Sequence, residues 1–193
     1  MSVAAVIVGS TRPTRFSEMP ARWIARHLEK HPGVDAKILD LRDYPMPFFE
    51  EPVSPARPDR APFENDVVQR WTAEIGSSDA FIVVTPEYNH GYPAALKNAL
   101  DYVYHEWVRK PISFISYGSV GGARAVEQLR LVAVELQMAP IRSAVHLPLQ
   151  ALMAHYREGD VDEALKESDG AAQQMIEELL WWTEALKKAR EAA

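Results

Sequence analysis

The chain has 193 residues, of which 47% are hydrophobic and 25% are charged, a composition typical of one globular domain with a sizeable core. Its formal net charge of −6 makes nucleic acid and anionic membranes unfavourable partners, so we expect it to bind neither. Because the chain has no cysteine, disulfides, a thiol nucleophile and thiolate-bound metal clusters are excluded, and redox chemistry would need an organic cofactor.

The amino-terminal residues predict a cytoplasmic protein rather than a secreted or membrane-anchored one. Residues 1–8 lack the basic segment that opens a secretory signal, and they lead directly into a glycine-containing loop. Apolar runs elsewhere in the chain are shorter than the roughly 18 residues of a membrane span. We therefore expect residues 1–193 to form a single cytoplasmic domain.

The first strand–loop–helix unit predicts an anion site. An apolar run at residues 3–8 predicts a strand, and helical spacing of apolar side chains follows at residues 19–31. The loop between them, residues 9–17, holds hydroxyl groups and two guanidinium groups directly before a helix N-terminus, whose unpaired N–H groups and dipole favour an anion. Its sequence matches neither G-x-x-x-x-G-K-[ST] nor G-x-G-x-x-G, which favours one compact phosphate. Ser17 in this loop is either a phosphate contact or simply the cap of the helix.

A long proline-rich loop is predicted after the second strand. The strand covers residues 36–41 and the loop covers residues 44–62, where repeated prolines prevent helix and ladder hydrogen bonds. Met46, Phe48 and Phe49 give the loop apolar side chains to bury. It therefore either walls a ligand site or is a surface excursion pinned by the two phenylalanines. Helical spacing resumes after it, up to the stop at Gly76 and the serines that follow.

The third strand leads into the loop with the richest chemistry. Residues 81–84 form a short β-branched run typical of a strand buried on both faces of a parallel sheet, and Pro93 suits the start of the following helix, residues 94–107. Between them lie the ring of Tyr88 and the amide of Asn89. Because ligands bind at the carboxyl ends of strands in open α/β sheets, this loop is the predicted site for a flat polar ligand.

The remaining chain repeats the same pattern. A strand at residues 111–117, a glycine-rich loop at 118–122 and a helix at 123–137 are followed by a fifth strand at 141–147. The glycines of the loop let backbone N–H groups point at a ligand oxygen. A final helix, after an irregular segment, carries one apolar stripe formed by Met175, Leu179, Trp182 and Leu186. Five strands alternating with five helices predict a three-layer, doubly wound α/β domain.

Three motifs point to one known family. Residues 86–101 read P-E-Y-N-x-x-x-P-x-x-L-K-N-A-x-D, and residues 116–124 read S-x-G-x-x-G-G-A-R. Ser10 and Arg12 match a G-S-x-R-x-x-S phosphate loop, in which Ser17 is displaced by two residues. In this order and spacing, the motifs resemble those of the NADPH-dependent FMN reductases, the flavodoxin-like family that includes quinone, chromate and azo-dye reductases. The resemblance implies a five-stranded parallel sheet in the order 2-1-3-4-5, which brings the loops after the first and third strands together.

The resemblance also implies an FMN-dependent NAD(P)H oxidoreductase. NADPH or NADH would be the electron donor, and a quinone, an azo compound, a metal oxyanion or free flavin would be the small-molecule acceptor. The implied cofactor-binding residues are Ser10, Arg12, Ser17, Pro86, Glu87, Tyr88, Asn89, Ser116, Gly118, Gly121 and Gly122. Ser10 and Arg12 would hold the phosphate, residues 87–89 would face the flavin ring, and loop N–H groups near Gly121 and Gly122 would stabilise the reduced ring.

No side chain is assigned to catalysis, because in this resemblance FMN itself takes the hydride. His90 either donates a hydrogen bond to the edge of the flavin ring or is an ordinary exposed loop residue. His27 and His31 are spaced i, i+4 on a predicted helix, but they have no third ligand nearby, so no metal site is expected.

The chain offers no second dinucleotide-binding loop, so the nicotinamide and the acceptor are expected to use one open face of the flavin in turn, in a ping-pong mechanism. A homodimer or higher homo-oligomer is also expected, because the third helix has more apolar surface than one sheet contact can cover, at Leu96, Ala99, Leu100, Tyr102, Val103, Tyr104 and Trp107. Two alternatives stay open: a flavodoxin-type electron carrier without NAD(P)H turnover, and a phosphate-binding interaction domain that binds no flavin.

Overall fold

The computed structural model describes residues 1–192, which form a parallel β-sheet with helices on both faces. Within this range the six strands are β1 Ser2–Val8, β2 Val34–Asp40, β3 Ala80–Pro86, β4 Pro111–Tyr117, β5 Ala139–Pro140 and β6 Val145–His146. The sheet order is β2-β1-β3-β4-β5, and β6 also pairs with β4. All of these pairs are parallel, so the predicted α/β class and strand order are confirmed.

Helices cover the two faces of the sheet and give the predicted three layers. In residues 1–192 the α-helices are α1 Glu18–Leu28, α2 Asp66–Ser77, α3 Ala94–Asp101, α4 Ala123–Glu135, α5 Leu149–Tyr156, α6 Val161–Lys166 and α7 Asp169–Glu191, with 3-10 turns at Leu41–Asp43 and His105–Trp107. Side chains of α1, α5, α6 and α7 share one core, and those of α2, α3 and α4 share the other. Successive side chains of a strand point to opposite faces of the sheet, so Ile82 of β3 lies in the first core and Val83 lies in the second. Among these helices none has the length and apolar character that a membrane span requires.

The predicted fifth strand, residues 141–147, is correct only at residues 145–146, and a separate short strand precedes the predicted range. β5 and β6 have two residues each and pair with β4 on either side of a gap. In the gap, the Glu178 carboxylate accepts the N–H groups of Arg142 and Ser143 at 3.1 Å each, and Ser113 Oγ donates to Ser143 O at 2.7 Å. Distant side chains therefore satisfy backbone groups that a continuous strand would pair in its ladder.

Two helical predictions also need correction. The helix predicted at residues 94–107 ends at Asp101, because the backbone of Tyr104, at φ −135° and ψ −66°, is not helical, and a separate 3-10 turn follows it. The segment after β6, predicted to be irregular, contains α5 and α6. The part of the chain that the structure describes thus has seven α-helices where the sequence pattern predicted five.

On α7 the buried stripe differs from the prediction at Trp182 and at Leu186, which is only half-buried. Met175 and Leu179 are fully buried as expected, but Trp182 is 37% exposed and Thr183 takes the buried position. A spacing of four residues leads from 175 through 179 to 183, so Thr183 faces the sheet. Its Oγ1 donates to Leu179 O at 2.7 Å, which satisfies the buried hydroxyl.

The apolar side chains predicted to form a dimer face are covered by the chain itself. Those that are fully buried are Leu96, Ala99, Leu100, Tyr102, Val103 and Trp107. Trp107 packs edge-on against Phe81 with 4.7 Å between ring centroids, and Tyr102 packs against Phe49 and Phe63. The argument for a dimer at this helix is therefore wrong, and homodimer formation stays a prediction that needs a different surface.

Candidate functional site

The three predicted loops meet at the carboxyl ends of β1, β3 and β4, which are neighbours in the sheet. We name them the phosphate loop, the tyrosine loop and the glycine loop, residues 9–17, 87–93 and 118–122. Two hydroxyl contacts link the phosphate loop to its neighbours: Ser10 Oγ lies 3.0 Å from Tyr88 Oη of the tyrosine loop, and Ser17 Oγ lies 2.6 Å from Tyr117 Oη at the end of β4. The prediction that the loops after the first and third strands lie side by side is therefore confirmed.

Of the two arginines in the phosphate loop, only Arg12 is available to an anion, because its side chain is exposed. Arg15 is buried and donates to Ser10 O at 2.6 Å, to Asp40 at 2.8 Å and to Glu18 at 2.6 Å. Burial alone would raise the pKa of Asp40, but its hydrogen bonds and charge interactions with Arg15 and Arg42 together lower that pKa below its ordinary value. Arg15 thus ties the phosphate loop to β2, and Arg12, the arginine assigned to the phosphate, is the one that an anion can reach.

Ser17 stands at the N-cap position of α1, yet its side chain makes no capping hydrogen bond. Its hydroxyl is fully buried and pairs instead with Tyr117, whose ring packs edge-on against Phe16 with 5.0 Å between centroids. Burial raises the pKa of Tyr117 above its ordinary value. The capping alternative for Ser17 is therefore wrong, and its contact with a phosphate stays a prediction.

The tyrosine loop is a two-residue hairpin. Tyr88 N–H donates to Gly91 O at 2.8 Å, and Gly91 N–H donates to Tyr88 O at 3.0 Å. The two residues between them, Asn89 and His90, have φ values of 50° and 70°, the positive angles that a type I′ turn requires at both central positions. Asparagine tolerates this conformation better than most residues, and its exposed side chain stands at the tip of the loop.

Helix α4 holds this hairpin in place through His90. Arg124 Nη1 donates to His90 Nε2 at 2.8 Å, and Gln128 Nε2 donates to His90 O at 2.8 Å. Because arginine is a donor only, His90 accepts at Nε2. The structure thus places His90 in a contact with the protein that neither sequence alternative included.

Glu87 caps α4 from the neighbouring loop. The N-cap residue of this helix is Gly122, which has no side chain, and the Glu87 carboxylate accepts hydrogen bonds from Arg124 N–H at 3.1 Å, from Arg124 Nε at 2.6 Å and from Ala125 N–H. The side chain of Glu87 is only 4% exposed. Burial alone would raise its pKa, but the contacts with Arg124 lower it below the ordinary value.

The backbone N–H of Glu87 is also engaged, since it donates to Tyr117 O at 3.0 Å. Neither its carboxylate nor its N–H is then available to a ring. Glu87 therefore positions the tyrosine loop against the glycine loop, and only Tyr88 and Asn89 of the predicted trio offer side chains to a ligand.

The glycine loop depends on backbone conformations that glycine tolerates. Gly121 and Gly122 have φ values of 69° and 74°. Ser116 Oγ donates to Gly121 O at 2.7 Å, and, having one hydrogen, it must accept from His146 Nδ1 at 2.8 Å. Gly121 N–H donates to Gly118 O at 3.2 Å, so that N–H group is used within the loop.

The predicted site residues thus fall into two groups. Arg12, Asn89, Tyr88, Gly118 and Gly121 are exposed or half-buried at the mouth of the site. Ser10, Ser17, Pro86, Ser116 and Gly122 are buried, as is the Glu87 carboxylate. Sequence reasoning missed Tyr117 and His146 as bracing residues, and it saw Arg124 only as the last letter of a motif. The sequence did point to Tyr117, because it lies inside the motif at residues 116–124.

The proline-rich loop is pinned to α3 and borders a cavity beside the phosphate loop. Asn98 Nδ2 donates to Pro47 O at 2.7 Å, and Asn98 Oδ1 accepts from Phe49 N–H at 2.8 Å. Phe48 is 78% exposed. The cavity has a volume of about 260 Å³ and is lined by Thr11, Leu41, Tyr44, Pro45, Met46, Phe48, Ala94, Ala95 and Asn98. Phe49 pins the loop, as one alternative expected, whereas Phe48 lines the cavity, and the loop's role as the wall of a ligand site stays a prediction.

These groups fit a flavin mononucleotide. A single exposed guanidinium, a set of hydroxyl groups and the N-terminus of α1 suit one terminal phosphate. The positive φ values of Gly121 and Gly122 turn the glycine loop tightly against β4, so the loop's backbone lies at the mouth of the site, where a flat ring can pack against it. Asn89, at the exposed hairpin tip, presents both an amide donor and an acceptor.

Comparison with known proteins agrees with this geometry. The sequence model of the family described as NADPH-dependent FMN reductase matches residues 1–151. An NAD(P)H-dependent FMN reductase of Schizosaccharomyces pombe is 36% identical, over 83% of this chain and 79% of its own length. A quinone reductase of Pseudomonas putida is 34% identical, over 69% of this chain and 70% of its own length.

Among solved structures, a flavoenzyme NAD(P)H:acceptor oxidoreductase of Paracoccus denitrificans superposes with a TM-score of 0.70. The alignment covers 96% of this chain and 98% of that one, at 23% identity, so it supports the fold. With the family match extending over most of the sequence, the comparison also settles the class of chemistry. This chain belongs to the NADPH-dependent FMN reductase family, as an oxidoreductase with FMN as its cofactor and NAD(P)H as its electron donor.

Proposed function

We propose that the three loops bind FMN and that the chain uses it to pass electrons from NADPH or NADH to quinones, azo compounds, metal oxyanions or free flavin. The observation that carries the proposal is the convergence of three loops at adjacent strand ends, joined by the hydroxyl pairs of Ser10 with Tyr88 and Ser17 with Tyr117. When bound, FMN supplies hydride acceptance and electron transfer to the acceptor. The Pseudomonas putida relative, named a quinone reductase, favours quinones among these acceptors.

The side chains of this chain would bind and position the cofactor. Arg12 and Ser10 hold the phosphate, Tyr88 and Asn89 border the ring, and the backbone of the glycine loop faces its polar edge. Glu87 keeps the tyrosine and glycine loops in register by capping α4. Hydrogen-bond donors that are held in place before the reaction stabilise negative charge on the cofactor without having to rearrange.

The visible spectrum of the purified protein, before and after anaerobic addition of NADPH, tests this function. Flavin absorbance that bleaches rapidly with NADPH supports the oxidoreductase. Bound flavin that NADPH does not bleach indicates the electron carrier instead, and a protein that stays colourless after FMN is added indicates an interaction domain. The cytoplasm remains our proposed location, on the sequence argument above.

Arg12→Ala should weaken FMN binding by about 1.5–3 kcal/mol, the usual contribution of a hydrogen bond to a charged group. The affinity can be measured from the quenching of FMN fluorescence on binding. Arg22→Ala is a matched control, because Arg22 is also exposed and its guanidinium lies 3.9 Å from the Glu18 carboxylate. An Arg12→Ala variant that binds FMN as tightly as the Arg22→Ala variant would refute the phosphate assignment.

Steady-state kinetics should follow a ping-pong pattern. Hydride transfer requires reacting atoms about 3–3.5 Å apart, so the nicotinamide and an aromatic acceptor need the same place in turn. Double-reciprocal plots against NADPH at several quinone concentrations should be parallel, and each substrate should inhibit competitively at high concentration. Intersecting lines, or a complex that holds a dead-end nicotinamide analogue and a quinone together, would show two separate sites.

We also propose a homodimer, through a surface other than α3. Leu131 and Val134, one turn apart on α4, are 74% and 62% exposed, and they are the side chains that we place in the interface. Light scattering of the FMN-bound chain should give about twice the 21.7 kDa of one chain. The double variant Leu131→Glu, Val134→Glu should give the mass of one chain. A wild-type mass of one chain would contradict the dimer.

A further inference from the structure

A second cavity lies at the opposite end of the sheet from the three loops. It has a volume of about 430 Å³, and its walls are the end of the proline-rich loop, the second half of α2 and the 3-10 turn before β4. Gly76 on its wall precedes the amino end of β3, and Glu106 precedes the amino end of β4. Its size falls within the range of about 300–1,000 Å³ that small-molecule sites occupy.

The cavity brings together buried polar atoms that have no partner in the chain. Within residues 1–192, the buried side-chain atoms without a hydrogen bond include Arg60 Nε, Arg60 Nη1, Thr72 Oγ1 and Glu106 Oε2, and all three residues line this cavity. Each comes from a different segment of the chain. A buried polar atom without a hydrogen bond destabilises the fold, and a charged one destabilises it more. Three such residues on one cavity therefore offer unpaired donors and acceptors to a polar ligand.

Arg60 is held in position by packing against an aromatic ring and not by an ion pair. Its guanidinium lies over the ring of Phe63, with 4.1 Å to the centroid. Phe63 is itself buried, and Gln69 Nε2 donates to Phe63 O at 2.6 Å, which ties this part of the loop to α2. In residues 1–192 neither Arg60 nor Glu106 has an oppositely charged side chain within 4.0 Å. The two charges are thus held apart on one cavity.

The charges on the wall select the kind of ligand. Arg60 offers only donors, so it requires an acceptor such as a carboxylate, and Glu106 requires a donor such as an ammonium group. A simple anion would leave Glu106 unpaired, a simple cation would leave Arg60 unpaired, and an apolar molecule would leave both. We propose that this cavity binds a small zwitterion of the amino acid type, with its carboxylate at Arg60 and its ammonium group at Glu106. Thr72 can donate to the first or accept from the second.

Calorimetric titration of the FMN-saturated protein tests the proposal. The probes are glycine, β-alanine, 4-aminobutyrate and 6-aminohexanoate, whose charges are spaced progressively further apart, with butyrate and butylammonium as single-charge probes. One or two zwitterions of the series should bind, and both single-charge probes should bind at least tenfold more weakly, because each loses one charged hydrogen bond. If no zwitterion binds, or if butyrate binds as well as the best zwitterion, the proposal is wrong.

Variants separate this site from a general effect on the fold. Arg60→Gln and Glu106→Gln should each weaken the best zwitterion at least tenfold, whereas Arg57→Gln should not, since Arg57 is in the same loop but is exposed and paired with Asp59. Gly76→Leu keeps both charges and fills the cavity, because a Cβ there lies 3.6 Å from Glu106 Cγ, an ordinary contact. It should abolish zwitterion binding while leaving FMN affinity unchanged. Zwitterion binding that survives in Gly76→Leu or in both charge variants would place the ligand elsewhere.

Discussion

Gly122→Ala should abolish FMN binding and lower the free energy of unfolding by roughly 3 kcal/mol or more. A Cβ at this position would lie 2.7 Å from Ser116 Cβ, 2.8 Å from Tyr117 N and 3.0 Å from Tyr117 O. Two of these atoms belong to the backbone of β4 in the centre of the sheet, so they cannot move aside. The φ of 74° adds strain, because side chains with a Cβ disfavour the left-handed region.

Urea denaturation and FMN titration of the same samples measure this effect. Gly170→Ala is the matched control, since a Cβ at Gly170 meets no atom within 4 Å and the residue lies in α7. That change should leave FMN binding intact and stabilise the protein by up to about 1 kcal/mol, the helix preference of alanine over glycine. A Gly122→Ala variant as stable as the Gly170→Ala variant would show that the glycine loop can rearrange.

Glu87→Gln should destabilise the protein at neutral pH by about 1.5–3 kcal/mol, the contribution of hydrogen bonds to a charged group. Glutamine has nearly the same shape, but it lacks the negative charge that Arg124 and the N-terminus of α4 require. FMN affinity should also fall, because the tyrosine and glycine loops lose the contact that couples them. Both effects should appear without any direct contact between Glu87 and the flavin ring.

The difference in unfolding free energy between wild type and Glu87→Gln should depend on pH with a definite sign. The folded state lowers the pKa of Glu87 below its ordinary value of 4.5, so its stabilising contribution is complete above that pH and is lost as the pH falls through the folded-state pKa. The stability gap between wild type and Glu87→Gln should therefore be constant near neutral pH and narrow in acid. Other carboxylates titrate in both proteins, and their contributions cancel in the difference.

Glu184→Gln provides the control for this experiment. Glu184 also pairs with a basic side chain, Lys188, but it is 70% exposed, so its replacement should change stability little at any pH. Urea denaturation from pH 3 to pH 7 would measure all three proteins. A stability gap for Glu87→Gln that does not change with pH would mean that the carboxylate charge is not what caps α4.

The sequence by itself determined most of the sheet and the place of the site. Short β-branched runs such as residues 81–84 indicate buried strands locally, and the motifs at residues 86–101 and 116–124 lie in loops whose positions follow from strand order alone. Pro93 also marked the beginning of α3, since its ring fixes φ, although it is the N-cap residue and not the first residue of the helix.

Only the tertiary structure decided what individual polar side chains do. Arg15 and Arg12 stand in one loop with the same chemistry, yet Arg15 is buried against Asp40 and Arg12 remains exposed. The partner of Glu87 was equally hidden in the sequence, because Arg124 is 37 residues away. The break between β5 and β6 depends in the same way on a distant side chain, Glu178 of α7. Strand and turn preferences act between near neighbours, whereas the partner of a charge is whichever opposite charge the fold brings within hydrogen-bonding distance. Such partners come within hydrogen-bonding distance only when the helices have packed against the sheet.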